Sequence, residues 1–229
     1  MAAEHSPVTV IAIDGPSGAG KGTLCRRLAS RLGYHYLDSG ALYRLLGLAA
    51  RRRGIDFDNL PALQVLAEHM DIQFKTDQDR VAVLLEGEDV SRELRTEQTG
   101  ALASQVATLP AVREALLQRQ RDFARAPGLV ADGRDMGTVV FSDAPLKIYL
   151  TASAQERAAR RHKELLAKGE NVSLAALVEQ VRLRDERDMN RDASPLRPAA
   201  DAVQLDTSDL SVDEVMESVL AILALKKMA

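Results

Sequence analysis

The chain predicts a three-layer α/β sandwich with a parallel central sheet, on two observations. Apolar runs of strand length recur between helical stripes, and the first of them ends in a glycine-rich loop that opens a helix. Residues 8–14 read as the first strand; beyond the loop, Leu24, Leu28 and Leu32 repeat at four-residue spacing up to Gly33, the pattern of a helix with a glycine stop. Residues 34–38 read as a second strand, and Leu42, Leu45, Leu46 and Ala49 as the stripe of a second helix that stops near Gly54. Residues 129–132 and 146–150 are further strands, each preceded by proline-containing turn chemistry, and residues 202–205 a weaker one. Strands separated by helical segments need βαβ crossovers, so the sheet is parallel, helices cover both faces, and a ligand sits at the carboxyl ends of the strands.

Two stretches break the repeating unit. In residues 71–94, Ile72, Phe74, Val81, Val83 and Leu85 flank polar turns, which predicts a small antiparallel insert. Residues 153–191 read as a long charged helical pair, opened by a capping box at Ser153 and Glu156 and broken near Gly169. A second capping box, Ser211 with Glu214, precedes a closing helix through Val215, Val219 and Leu223.

At 229 residues and 46% hydrophobic content, the chain can bury one substantial core with insertions, or two small domains. Its 30 basic and 33 acidic residues leave a formal charge of -3, so there is no overall basic field for nucleic acid and any anion site is local. The start, residues 1–7, lacks a basic n-region, and the apolar run 219–225 is too short to span a bilayer, so a cytoplasmic protein with no membrane partner is expected. The single cysteine, Cys25, excludes an internal disulfide and reads as core packing.

Gly15, Pro16, Ser17, Gly18, Ala19, Gly20, Lys21, Gly22 and Thr23 lie between the first strand and first helix, the context a phosphate loop requires. Glycines let successive N–H groups point into one concavity, and the helix N-terminus favours phosphate oxygens. Lys21 is expected to bridge the β- and γ-phosphates of ATP, with Mg2+ alongside and Thr23 as its candidate ligand. The hydroxyl stands one place later than usual, because Gly22 intervenes; that spacing resembles nucleoside monophosphate kinases. No Asn-Lys-x-Asp guanine reader occurs, which disfavours a GTPase-type switch.

Ser39, Tyr43 and Arg44 follow the second strand and are expected to face the phosphate loop, although Ser39 alone reads as an N-cap and Arg44 as a solvated charge. Asp132, Arg134 and Asp135 cluster after another strand, where the sheet meets its crevice. Arg184, Asp188 and Arg191 fall within roughly 60° of one helical face. Without the phosphate loop that stripe is a salt-bridged helix; beside it, the arginines read as phosphate clamps, which offer fixed donors to the equatorial oxygens of a transferring phosphoryl group. The candidate catalytic residues are therefore Lys21, Arg134, Arg160, Arg184 and Arg191, and Arg157 with Arg160 reaches ATP on closure of the charged helical pair. The exposed loop position of Lys21 predicts that its removal leaves the fold intact.

As a set, these residues resemble the bacterial cytidylate kinases, nearly end to end. The resemblance rests on residues 13–23, on Leu-Asp-Ser-Gly-Ala-Leu-Tyr-Arg at 37–44, on Gly-Glu-Asp-Val-Ser at 87–91, on Ala-Asp-Gly-Arg-Asp-Met-Gly-Thr at 131–138, and on Ala-Pro-Leu-Lys-Ile at 144–148. It implies a core (1–65, 109–152 and 192–229), an acceptor-binding insert (66–108) and a mobile helical lid (153–191). It further implies that Ser39, Arg44 and Arg134 hold the acceptor phosphate, that Ser104, Arg113 and Asp135 contact the cytosine edge, and that Arg184 and Asp188 reach the sugar. Nothing local marks Ser104 or Arg113, which otherwise read as ordinary helix-surface residues. The activity implied is phosphorylation of CMP and dCMP by ATP. A monomer is expected. The competing readings are a P-loop kinase for another small acceptor, such as UMP or a hydroxylated metabolite, and a nucleotide-binding regulatory switch.

Overall fold

The computed structural model describes residues 8–77, 80–167 and 169–226. The opening segment 1–7, read above for a leader, lies outside the described residues. In chain order the elements are β1 (Thr9–Asp14), α1 (Lys21–Leu32), β2 (His35–Asp38), α2 (Ser39–Arg52), α3 (Leu60–His69), β3 (Ile72–Asp77), β4 (Arg80–Leu85) and β5 (Glu88–Asp89). There follow α4 (Glu97–Val106), α5 (Pro110–Arg121), β6 (Gly128–Gly133), a π-turn at Met136–Val140, β7 (Leu146–Thr151), α6 (Ala154–Ala167), α7 (Leu174–Asn190), β8 (Val203–Asp206) and α8 (Val212–Leu225). These pack into two compact units, Met1–Asp38 with Arg121–Ala229, and Ser39–Gln120.

The first unit is built on a five-stranded sheet in the order β2-β6-β1-β7-β8, every pairing parallel. β1 is central, with Ile11 opposite Val130 on one side and Leu146 on the other. Val10, Ile11, Ala12 and Ile13 are all buried and none alternates with a polar residue, because a central parallel strand is covered on both faces. Leu24 and Leu28 of α1 and Val215 and Val219 of α8 close over Ile11, Ile13, Val130 and Ile148 in one core cluster. Gly33, left-handed at φ 66°, ends α1 as the leucine spacing predicted. At α8, Ser211 and Glu214 complete the expected reciprocal capping box. At α6 the Ser153 hydroxyl accepts from the Glu156 N–H at 3.1 Å, but the Glu156 carboxylate turns to Arg160. A small separate cluster of Ala158, Leu165 and Leu177 joins α6 to α7.

The second unit centres on α2, which is buried through Leu42, Leu45, Leu46, Leu48 and Ala49, wider than a single stripe and therefore an interior helix. A Cβ at Gly47 would stand 2.8 Å from Leu102 Cβ, so the glycine is what lets α2 and α4 approach. The β3-β4-β5 sheet is antiparallel as expected, with Ile72 opposite Leu85 and Leu84 opposite Asp89. Arg119 of α5 donates to the carbonyls of Ala67 at 3.0 Å and Met70 at 2.9 Å, satisfying the C-terminal end of α3.

Candidate active site

The phosphate loop fills the turn from β1 to α1. Gly15 has φ 149°, and a Cβ there would lie 2.2 Å from the Leu150 carbonyl oxygen, so only glycine lets the loop leave the sheet this close to β7. Gly20 precedes the helix in a left-handed conformation at φ 89°. Lys21 is buried at 7% exposure, contrary to the exposed loop position the sequence suggests, and its Nζ donates to the carbonyls of Gly15 and Pro16, both at 2.8 Å. Burial pushes the Lys21 ammonium below the ordinary lysine range, and Asp132 opposes that. The same burial pushes the Asp132 carboxyl up, with Lys21 lowering it and Asp38 raising it. A Cβ at Gly22 would come within 3.5 Å of Asp132 Oδ2 and 3.8 Å of the Tyr36 hydroxyl, so the missing side chain at position 22 leaves space beside a carboxylate.

At the carboxyl end of β6 the chain makes the π-turn at Met136–Val140, and Asp14 is what holds it. Asp14 Oδ1 accepts the Met136 N–H and Oδ2 the Gly137 N–H, each at 2.8 Å. Arg134 pairs with Asp188 of α7, and Arg191 Nη2 lies 3.9 Å from Asp135 Oδ1. Burial raises Asp188 less than Arg134, Arg184 and Arg191 lower it, which keeps its carboxyl below the usual range. The expected stripe of 184, 188 and 191 is therefore joined to the cluster at 132–135, although α7 stops at Asn190 and Arg191 is extended, donating from Nε to the Ser194 carbonyl at 2.6 Å.

Arg157 and Arg160 are both engaged by protein. Arg157 is 4% exposed and bonded to Ala152, Ser17 and Asp185. Arg160 donates to the carbonyls of Thr207 and Ser208 and to Glu156, at the turn after β8. Thr207 in turn donates toward the Ala19 carbonyl of the phosphate loop at 3.2 Å. In the second unit, Ser39 opens α2, Tyr43 is buried one turn on, Arg44 is half-buried, and the Arg113 guanidinium lies over the Tyr43 ring 5.5 Å from its centroid. Arg113 also donates to the Ala107 carbonyl at 3.2 Å, and Ser104 is buried on α4, so neither is the surface residue that its local sequence suggests.

Asp14, Asp185 and Thr207 are not among the site residues that the sequence predicts. Only Asp14 carried a signal, as the carboxylate at the end of a wholly apolar strand. Burial outweighs its two N–H bonds and pushes its carboxyl from 3.8 to about 6. Between those values the native state binds more protons than the unfolded chain, so this group's contribution to stability is fully present below pH 3.8 and is lost as the pH rises through about 6. Asp14→Asn cannot titrate. Its stability relative to the wild type is expected to rise by about 3 kcal/mol across that window, read by urea unfolding of both proteins at several pH values. A difference that does not change with pH would contradict this assignment.

Thr23 offers a hydroxyl in the first turn of α1 and Asp132 a carboxylate beside Gly22, and both are hard oxygens. Among the described residues no group of three or more His, Cys, Asp or Glu gathers to hold a metal. Such a donor set fits a magnesium ion that arrives on nucleotide phosphates and takes one or two protein oxygens. No helix among the described residues is long and apolar enough to cross a membrane.

The family model described as "Cytidylate kinase" matches residues 11–225. Curated cytidylate kinases resemble the chain over nearly its whole length. The protein from Stutzerimonas stutzeri is 60% identical over 97% of this chain and 98% of its own length. That from Pseudomonas fluorescens Pf-5 is 59% identical over 96% and 97%. That from Pseudomonas syringae pv. tomato is 58% identical over 96% and 97%.

Proposed function

The chain belongs to the cytidylate kinase family, and from that premise we propose that it transfers the γ-phosphoryl group of ATP to CMP, and to dCMP, giving ADP and the corresponding diphosphate. The observation that carries the reading is the convergence of Lys21 and its glycine loop with the buried Asp132, Arg134–Asp188 and Asp135–Arg191 groups at the carboxyl ends of β1 and β6.

The acceptor phosphate has a second ionisation at about 6, so at neutral pH its oxygen is already a nucleophile and no general base is required. The protein's work is alignment and charge neutralisation. Lys21 leaves the carbonyls of Gly15 and Pro16 for the phosphates of ATP, and the loop N–H groups hold the same oxygens. Arg134, Arg184 and Arg191 supply guanidinium donors to the transferring group, each oriented by a neighbouring carboxylate where one is present. Magnesium, held through Thr23 or Asp132, would neutralise phosphate charge. Ser39, Arg44 and Arg134 bind the acceptor phosphate, and Ser104, Arg113 and Asp135 read the cytosine edge. A carboxylate accepts from the exocyclic amine of cytosine and opposes the carbonyl of uracil. The α6–α7 pair serves as a lid that excludes water, with Arg160 moving from the Thr207 carbonyl to ATP. The protein acts as a soluble monomer in the cytoplasm.

The test is label transfer. With ATP labelled at the γ-phosphorus, the label is expected in the β-position of CDP in a CMP-dependent reaction. Label released as inorganic phosphate, with none in CDP, would overturn the reading.

A further inference from the structure

Arg157 lies at the start of an arginine-rich helix, where a residue that touches ATP would be expected, yet four of its N–H donors are already committed. Nε donates to the Ala152 carbonyl just beyond β7 at 2.9 Å. Nη1 donates to the Ser17 carbonyl of the phosphate loop at 2.9 Å and to Asp185 Oδ1 at 3.0 Å, and Nη2 donates to Asp185 Oδ2. Both partners of this fork are buried, with side chains 4% and 12% exposed. The stem of Arg157 also packs against the loop, since a Cβ at Gly18 would stand 3.1 Å from Arg157 Cβ.

We propose that Arg157 and Asp185 are positioning residues for the donor nucleotide: Asp185 holds the guanidinium so that it turns the Ser17–Gly18 peptide of the phosphate loop into its nucleotide-binding orientation. The physical link is peptide planarity. The C=O of Ser17 and the N–H of Gly18 belong to one plane and point in opposite senses, so drawing the carbonyl onto Arg157 presents that N–H on the other side of the loop. A carboxylate fork suits this task better than a single acceptor, because two parallel bonds fix the guanidinium plane as well as its place. Asp185 stands between Arg184 and Asp188 on α7, so the same helix that carries acceptor-side residues also sets the donor loop. A separate arginine then supplies any direct lid contact to ATP.

The inference rests on the reading of the loop as an ATP site, and ADP binding separates the two. Calorimetric titration of wild type, Asp185→Asn and Arg157→Lys with ADP, and separately with CMP, is the experiment, with thermal melting to establish folding. Both variants are expected to bind ADP about tenfold or more weakly, while CMP affinity stays within about threefold. Removing one partner of a buried pair leaves an uncompensated charge, so the double variant Arg157→Met with Asp185→Leu is included; it removes both charges, and is expected to keep the fold and to show the same loss for ADP. Unchanged ADP affinity in any folded variant, or equal losses for ADP and CMP, would overturn the positioning role. A wild-type protein that binds no ADP would overturn the ATP-site reading and this inference with it.

Discussion

Lys21→Ala is expected to lower the rate of CMP phosphorylation about 1,000-fold, in a protein that remains folded. The expected catalytic loss follows from the role proposed for the ammonium, which is to move with charge as it shifts onto the leaving ADP. That the fold survives needs a different reason from the exposure the sequence suggested. Lys21 is buried and its Nζ satisfies two carbonyls, so truncation forfeits two hydrogen bonds. Each is worth about 1 kcal/mol net, and relief from burying an ammonium offsets part of that loss. Initial rates, with melting curves taken in parallel, check this. Near-normal turnover in the folded variant would remove Lys21 from the mechanism.

Asp135→Ala is expected to reduce kcat/KM for CMP by about 100-fold or more, with ATP affinity little changed. Asp122→Ala, at an exposed carboxylate in the turn after α5, is expected to stay within about twofold and serves as the control. Asp135 is 4% exposed and lies 3.9 Å from Arg191, so its removal also takes one counter-charge from that arginine and leaves Asp188 to oppose it. Asp135→Asn sharpens the point, because an amide can donate where the carboxylate only accepts. It should narrow the preference for CMP over UMP, whereas a loss shared equally by both acceptors, or losses equal to those of Asp122→Ala, would deny Asp135 a part in reading the base.

The parts of this molecule that depend on short-range pattern were legible in the sequence. The strand, loop and helix across residues 9–32 could be read because an apolar run, a glycine loop and a leucine stripe are each local signals. Gly33 and the Ser211–Glu214 box marked helix ends for the same reason. The π-turn after β6 was not legible, since five residues of wide turn leave no period to detect, and its anchor, Asp14, lies 122 positions away. Arg157 shows the same limit. An arginine-rich helix looks alike whether its guanidinium groups face water or a buried carboxylate, and only the fold sets Asp185 opposite. Ser104 and Arg113 were reachable through family resemblance alone, because burial on α4 and α5 comes from packing around Tyr43 and α2, not from their neighbours in sequence.

Phosphorylation of CMP at this site is checked by acceptor-dependent ADP formation from ATP and magnesium, with CMP, dCMP, UMP, AMP and GMP offered one at a time against a control without acceptor. The highest kcat/KM is expected with CMP or dCMP, with little ADP in the control. Preferential turnover of a purine monophosphate, or ADP formation indifferent to acceptor, would contradict it.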